Sequence, residues 1–453
     1  MDKQSPVIAV AAAMYDSNNA FSGKKRFHLM SNYLNYGLLG LCTKLSEQGF
    51  SNVKMFQGKT VADTIKEIRG AGVAVEDVKH PLLLSMPSVL NIEWANDFTR
   101  AIKELNPELK IVAGGRWLVD PNVDWIKEKM PNVDFFARGC ADESIEQLLD
   151  PTNWDNLRGV QTSGRPSKLN YQLLNGFKKY MPSIDVVRGC PSKCSFCEEK
   201  NQPYGFTSVK SPEGAIAEVE ELIEIYGELG ARIYFEAAHF APTKQWADRF
   251  AQLYKERGMS FTWRTQSRID GIGFDRIETL SHAGLEAIDF GFESGSPTQL
   301  VKMQKAQNPH KYLDKASKLI EFSTSVGVKP NLSVLLYPGE THQTIAETEE
   351  WLDKNNHNIG GTRAFSLILY RVGEKQTQQF ADHIADLSGI YPDMEKVERD
   401  GYAHVDLSPE LLKDEAIARA DGIAKNKMLW DDYRALLNIY NPRRKPCEIV
   451  STK

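Results

Sequence analysis

The stretch Ile184-Asp-Val-Val-Arg188-Gly189-Cys190-Pro191-Ser192-Lys193-Cys194-Ser195-Phe196-Cys197 decides how this chain is read. Its first five residues, Ile184–Arg188, are rich in β-branched side chains and predict a buried strand that stops at Gly189. Three of the chain's six cysteines then fall within eight residues, spaced Cys-x3-Cys-x2-Cys. Downstream the pattern alternates. Strands are predicted at Arg232–Phe235, Phe261–Arg264, Ala287–Phe292, Asn331–Leu336 and Phe365–Tyr370. Helices are predicted at Pro212–Tyr226, Lys244–Glu256, Phe274–His282, His310–Val326 and His342–Lys354. Six β/α units are too few to close an eight-unit barrel, so a partial (β/α)6 barrel is expected. Barrel chemistry sits at the C-terminal strand ends, which is where the cysteines lie.

Upstream, a second alternating array occupies residues 1–150. Its predicted strands are Val7–Ala13, Val53–Phe56, Pro81–Met86, Ile111–Ala113 and Val133–Ala137, with helices between them. Short strands separated by helices predict an α/β, doubly wound, Rossmann-like parallel sheet. Ligands of such sheets bind outside the carboxyl ends of the strands. Those ends carry Met14-Tyr15, Ser85-Met86-Pro87-Ser88, Gly114-Gly115-Arg116-Trp117 and Arg138-Gly139. Residues 151–182, rich in Asn, Gly, Ser, Pro and Lys, read as a linker across the surface. The barrel is assigned to 183–372 and a mostly helical C-terminal extension to 373–453, with helices at Thr377–Leu387 and Ser408–Asn438.

Composition bounds the partners. With 55 Lys and Arg against 60 Asp and Glu, the net charge is −5, which offers no general field for nucleic acid. The 42% hydrophobic and 25% charged content is that of a globular chain. The N-terminal apolar run is too short for a signal peptide, and no run of about 18 apolar residues predicts a membrane span. A cytoplasmic location is expected, where thiols stay reduced and clustered cysteines suggest metal or redox chemistry.

Three thiolates at the observed spacing can each take one corner of an iron–sulfur cube, leaving the fourth iron open. A zinc knuckle is the alternative, although such sites use paired Cys-x2-Cys units or added His. The Cys-x3-Cys-x-aromatic-Cys motif, placed after the first strand of a six-unit β/α array, resembles the radical S-adenosylmethionine (SAM) superfamily. The resemblance implies a [4Fe–4S] cluster on Cys190, Cys194 and Cys197 whose open iron binds SAM. Reduction then yields a 5′-deoxyadenosyl radical, with Phe196 near the adenine. An external electron donor of flavodoxin or ferredoxin type is implied.

Two later segments resemble the subgroup of methylthiotransferases and cobalamin-dependent enzymes. They are Ile288-Asp-Phe-Gly-Phe-Glu-Ser-Gly-Ser296 with Leu300-Val-Lys-Met303 and Lys305, and Leu336-Tyr-Pro-Gly-Glu-Thr341. By that resemblance Glu293 and Ser294 bind SAM. Arg268, the better match of Arg264 and Arg268, pairs with its carboxylate. Where relatives carry two acids at a strand end, this chain has Ala237 and Ala238, flanked by Glu236 and His239. Glu236 is therefore the candidate for the SAM amino group, and His239 reads as an ordinary hydrogen-bonding residue.

Tyr36–Gly49, Ile111–Trp117 and Ala137–Glu143 are similar to segments of cobalamin-binding domains. That resemblance assigns Met14, Ser85, Met86, Ser88, Gly114, Gly115, Arg116, Trp117 and Gly139 to cobalamin. The Asp-x-His-x-x-Gly motif of His-ligated cobalamin is absent, since Asp77-Val-Lys-His80 has the wrong spacing. The expected activity is cobalamin-dependent C-methyl transfer to a small-molecule or natural-product substrate. A rearrangement, a ring contraction or a 3-amino-3-carboxypropyl transfer is a second possibility, and a non-catalytic iron–sulfur or cobalamin carrier a third. A methylthiotransferase is disfavoured because only Cys42 and Cys140 precede the motif, where such enzymes hold a second three-cysteine cluster.

Overall fold

Alternate residues of the first strand supply two different cores. In β1 (Val7–Ala11), Val7, Ala9 and Ala11 face a core that continues into the second half of the chain. Ile8 and Val10 face a separate core with Trp94 and Phe98. All five residues are buried, as expected of a central parallel strand covered on both faces. The computed structural model describes residues 1–14, 34–118, 122–157, 165–201, 208–227 and 232–426.

The first sheet contains β1, β2 (Val53–Gln57), β3 (Leu82–Ser85), β4 (Ile111–Gly114) and β5 (Phe135–Phe136), all parallel, in the order β2-β1-β3-β4-β5. The order reverses between β1 and β3, which opens a crevice at their carboxyl ends. Helix Ile92–Leu105 covers one face by burying Trp94, Ala95, Phe98, Thr99 and Ile102, a spacing of three and four residues. Helix Tyr36–Glu47 covers the other face and is capped by the Asn35 side chain.

The second sheet runs β12-β11-β10-β9-β8-β6-β7. Its strands are β6 (Ser183–Arg188), β7 (Ser208–Val209), β8 (Arg232–Ala237), β9 (Thr262–Arg268), β10 (Leu285–Glu293), β11 (Lys329–Leu336) and β12 (Gly361–Ser366). Six of the seven are parallel and neighbours in sequence, which makes a partial (β/α)6 barrel, with β7 antiparallel on its edge. Ser211, Thr243, Asn308 and Thr341 cap four of the intervening helices through their side chains.

Several sequence expectations need correction. The sixth strand is Gly361–Ser366, while Ile368–Tyr370 forms β13, antiparallel to β14 (Tyr402–His404). Gly360 and Gly361 hide the true start, because glycine carries no strand propensity. The third strand continues past Arg264 to Arg268, which places Arg264 inside the sheet. Within the segment 151–182, residues 165–182 are not a surface crossing. Its Tyr171 is fully buried and hydrogen-bonds to Ser183 O at 2.9 Å, and Leu169 and Leu174 join the core between the sheets. In the extension, the expected helix at Thr377–Leu387 is Glu374–Ser388, and the last described helix starts at Lys413 rather than Ser408. The rest of the expected helix to Asn438 lies outside the described residues, as do Tyr15 and Cys447.

The end of the barrel domain and the extension dock back onto the first domain around Arg371. Its guanidinium donates to Asn122 Oδ1 at 2.6 Å and to Glu398 Oε2 at 2.8 Å, and lies 5.0 Å from the centre of the Trp125 ring. Its carbonyl accepts from Trp117 Nε1 and Asn122 Nδ2.

Candidate active site

The cysteine loop leaves β6 through Gly189, whose φ of +85° few other residues adopt. It is then anchored at two points by its own backbone. Ser195 N donates to Met303 O at 3.0 Å, and Cys197 N donates to Cys194 O at 3.2 Å. Cys194 is buried, while Cys190 and Cys197 are half-buried and line a cavity. Burial pushes the Cys197 thiol up, opposed by a backbone hydrogen bond and reinforced by nearby charges that include the other two sulfurs. Among the described residues no three His, Cys, Asp or Glu side chains converge as one metal ion requires. A cube that binds one iron per thiolate needs a wider spread than a tetrahedral zinc site.

Arg188, at the end of β6, fixes the base of the loop. It donates to Asp185 at 2.8 Å, to Asp142 of the first domain at 3.0 Å and to Ser167 Oγ at 2.8 Å. Further along, Arg116 from the first sheet pairs with Glu199, two residues beyond Cys197. The loop is thus tied to the first domain on both sides.

Between the two sheets lies a cavity of about 1330 Å³. It joins the carboxyl ends of β1, β3 and β4 to the cysteine loop and the mouth of the barrel. Met14, Ser85, Ser88, Gly114, Gly115, Arg116 and Gly139 all line it. Met86 and Trp117 do not. Met86 is fully buried beneath Gly115, where an added Cβ would come within 2.3 Å of Met86 O. Trp117 turns away to hydrogen-bond Arg371 O and to meet Trp125 edge-on. Strand alternation accounts for Met86, one residue beyond β3, whereas Trp117 lies in the turn that follows β4.

Glu236 and Tyr36 face the same cavity. Burial, helped by the Asp185 charge and opposed by a Ser183 hydrogen bond and the Arg264 charge, raises the Glu236 carboxyl to about 8. Burial likewise raises the Tyr36 phenol, so both groups keep their protons near neutral pH.

A second cavity, of about 580 Å³, lies on the other side of the cysteine loop. Phe196, Leu335, Phe365 and Leu367 give it apolar walls. Phe196 meets Tyr337 edge-on at 6.2 Å, and the Tyr337 hydroxyl lies 2.9 Å from Ser195 Oγ and 3.1 Å from His383 Nε2. Tyr370 and Glu198 line both cavities and so stand where they meet.

The remaining candidates are held by the protein itself. Glu293 ends β10 with φ +74°, a sterically costly conformation, and its Oε1 accepts from the buried Lys305 Nζ at 3.0 Å. Ser294 points into helix His342–Lys354, where its hydroxyl meets Thr348 Oγ1 at 3.0 Å and accepts from Ser296 N. It lines neither of the two cavities. Arg264 pairs with buried Asp289 at 2.5 Å within the barrel. The Nδ1 of His239 accepts from Arg268 N at 3.3 Å. Burial, then the Arg268 charge, lowers its imidazole to about 4, so it stays neutral. Arg268 is spread over three partners: Asp270, Lys305 O and the Cys194 sulfur. Sequence reasoning missed Tyr36, Glu198, Asp270 and Tyr370. Only Asp270 carried a signal, as an acid two residues beyond an Arg at a strand end.

Residues 184–352 match the family model described as the Radical SAM superfamily. This chain carries a radical SAM domain. Around that domain, the fold is similar to the radical S-adenosylmethionine methyltransferase TsrM from Kitasatospora setae, solved with cobalamin and a [4Fe–4S] cluster bound. The TM-score is 0.62 at 12% identity, over 80% of this chain and 72% of that one. It is also similar to the cobalamin-dependent S-adenosylmethionine radical enzyme OxsB, solved with aqua-cobalamin bound, at a TM-score of 0.61 and 13% identity over 85% and 57%. These are likenesses of fold. A tRNA-2-methylthio-N(6)-dimethylallyladenosine synthase from Clostridium botulinum is 23% identical over 278 residues, 59% of this chain. The matched stretch spans 61% of that relative's length. Around the radical SAM domain, no described helix is long and apolar enough to cross a membrane.

Proposed function

We propose that this protein is a cobalamin-dependent radical SAM methyltransferase acting on an unactivated carbon of a small-molecule substrate. The observation that carries this reading is the 1330 Å³ cavity, which opens at once onto the first sheet's switch point and the cysteine loop. The donor set suits a cluster, since three thiols end one barrel strand with no fourth ligand needed. The first sheet suits a large flat cofactor, since Gly58, Gly114, Gly115 and Gly139 line the cavity at its strand ends with no side chains to fill it. When bound, the cluster with SAM supplies a 5′-deoxyadenosyl radical, and cobalamin supplies the methyl group.

The chain's own residues then position and protect. Phe196, with the apolar walls of the smaller cavity, suits the adenine of SAM, while Glu293 and Lys305 are already paired with each other at 3.0 Å. Protonated Glu236 and Tyr36 offer neutral hydrogen-bond donors to a polar substrate atom without placing a charge beside a radical. Tyr370 and Glu198 stand where a substrate must lie to be reached from both cavities. The flanking ties Arg188–Asp142 and Arg116–Glu199 hold the two domains together.

The relative that makes methylthio groups suggests another chemistry on the same domain. A second three-thiol cluster would have to come from the first domain, which has only Cys42, fully buried, and Cys140. Incubating the reduced, anaerobically reconstituted protein with SAM tests the proposal. Release of 5′-deoxyadenosine, measured by mass spectrometry, is expected. No cleavage by an intact, reduced cluster would favour a carrier, and cleavage without bound corrinoid would favour radical chemistry other than methyl transfer.

A further inference from the structure

We infer that Arg268 is a positioning residue of the cluster: through its bond to the Cys194 sulfur it holds that thiolate as an iron ligand and raises the cluster's reduction potential. This rests on the reading that Cys190, Cys194 and Cys197 carry a [4Fe–4S] cluster. The sequence suggested a different task, pairing with the SAM carboxylate. The geometry commits the guanidinium elsewhere.

Nε and Nη2 of Arg268 donate to the two oxygens of Asp270 at 2.8 and 2.9 Å. Nη2 also donates to Lys305 O at 2.8 Å, and Nη1 lies 2.8 Å from Cys194 Sγ. Four of the five guanidinium N–H groups are thus engaged. A planar fork held on one edge by a bidentate carboxylate cannot swing, so Nη1 stays aimed at the sulfur. The bond is also sheltered. The Arg268 side chain is 13% exposed and Cys194 5%, so solvent and salt screen the charge weakly. The Lys305 ammonium, a buried cation of the same corner, is paired with Glu293.

One-electron reduction makes a cluster more negative by one charge. A cation and an N–H···S hydrogen bond favour the more negative state, so they raise the potential. The Asp270 carboxylate, beside the same guanidinium, opposes part of that effect. The two residues therefore make opposite contributions, which a purely structural role would not produce.

The test uses the full chain, reconstituted anaerobically with iron and sulfide and without SAM. Potentiometric titration is followed by electron paramagnetic resonance. Arg268→Gln is expected to bind as much iron and sulfide as the parent, with its midpoint moved to lower potential. Arg268→Lys should fall between the two, and Asp270→Asn should move to higher potential. An Arg268→Gln protein with full iron content and an unmoved or raised midpoint overturns the inference. If that variant loses iron, Arg268→Lys decides: an iron-loaded Lys variant with a lowered midpoint supports the inference, and an unmoved or raised midpoint overturns it. A parent protein that takes up no iron sinks the cluster reading itself, a failure distinct from a loaded cluster whose potential ignores Arg268.

Discussion

Glu236 is the residue whose environment has the clearest thermodynamic signature. Its ordinary carboxyl value is 4.5, and burial beside Asp185 raises it to about 8. In the unfolded chain the group ionises near its ordinary value, whereas in the folded chain it keeps its proton. Between those limits the native state binds more protons, so its contribution to stability falls as pH rises from about 4.5 to about 8. Glu236→Gln, neutral at every pH, should remove that slope. Denaturant melts from pH 5 to 8 are expected to show the variant gaining on the parent by up to a few kcal/mol at the alkaline end. Parallel curves would contradict the assignment. The thiols make a simpler prediction. Replacing Cys190, Cys194 and Cys197 together by Ala should abolish iron binding while leaving the far-ultraviolet circular dichroism unchanged. At this scale the sequence was informative where chemistry demands a residue type at a fixed spacing, as for the three cysteines. It was poor where a side chain's task depends on which way it points, as for Ser294 and Met86.

Strands and their ends carry the next level. Gly115 follows β4 with φ +129°, and an added Cβ would meet Met86 O at 2.3 Å and Met86 N at 2.8 Å. Both contacts are with backbone, which cannot swing aside. Gly115→Ala should therefore destabilise the first domain by about 2 kcal/mol or more, through strain and a displaced β3–β4 register. Differential scanning calorimetry checks this, and an unchanged transition would contradict it. Most elements were legible because their signals are local: capping residues before helices, β-branched runs in strands, Gly at the turns. The sixth barrel strand was not, because its pairing partner β11 selects Gly361–Ser366 over the better strand formers two residues later. The segment before the barrel was misread for a similar reason. Its polar composition suggests a surface path, but Tyr171, Leu169 and Leu174 are enough to draw it into the core.

On the scale of the whole molecule, the end of the barrel and the extension grip the first domain around Arg371, with Trp125 Nε1 donating to Glu398 O at 2.8 Å beside it. Arg371 is 7% exposed and joins Asn122, Glu398 and the Trp125 ring. Arg371→Ala would leave the buried Asn122 side-chain oxygen without its donor and Glu398 without its partner, at about 2–4 kcal/mol. Limited proteolysis should then cut between the barrel and the extension sooner than in the parent. Nothing in the sequence announced this contact, since its partners are about 250 residues apart. By contrast, the two-sheet plan was legible, because each half repeats its own strand–helix alternation. What the fold adds is their juxtaposition: the switch point of one sheet and the cysteine loop of the other open on one space. The most direct test of this account is the ultraviolet–visible spectrum of the anaerobically reconstituted protein after cobalamin is offered and excess is removed. The account predicts superimposed iron–sulfur and corrinoid absorption, with near one corrinoid per chain. Iron–sulfur absorption alone would contradict it.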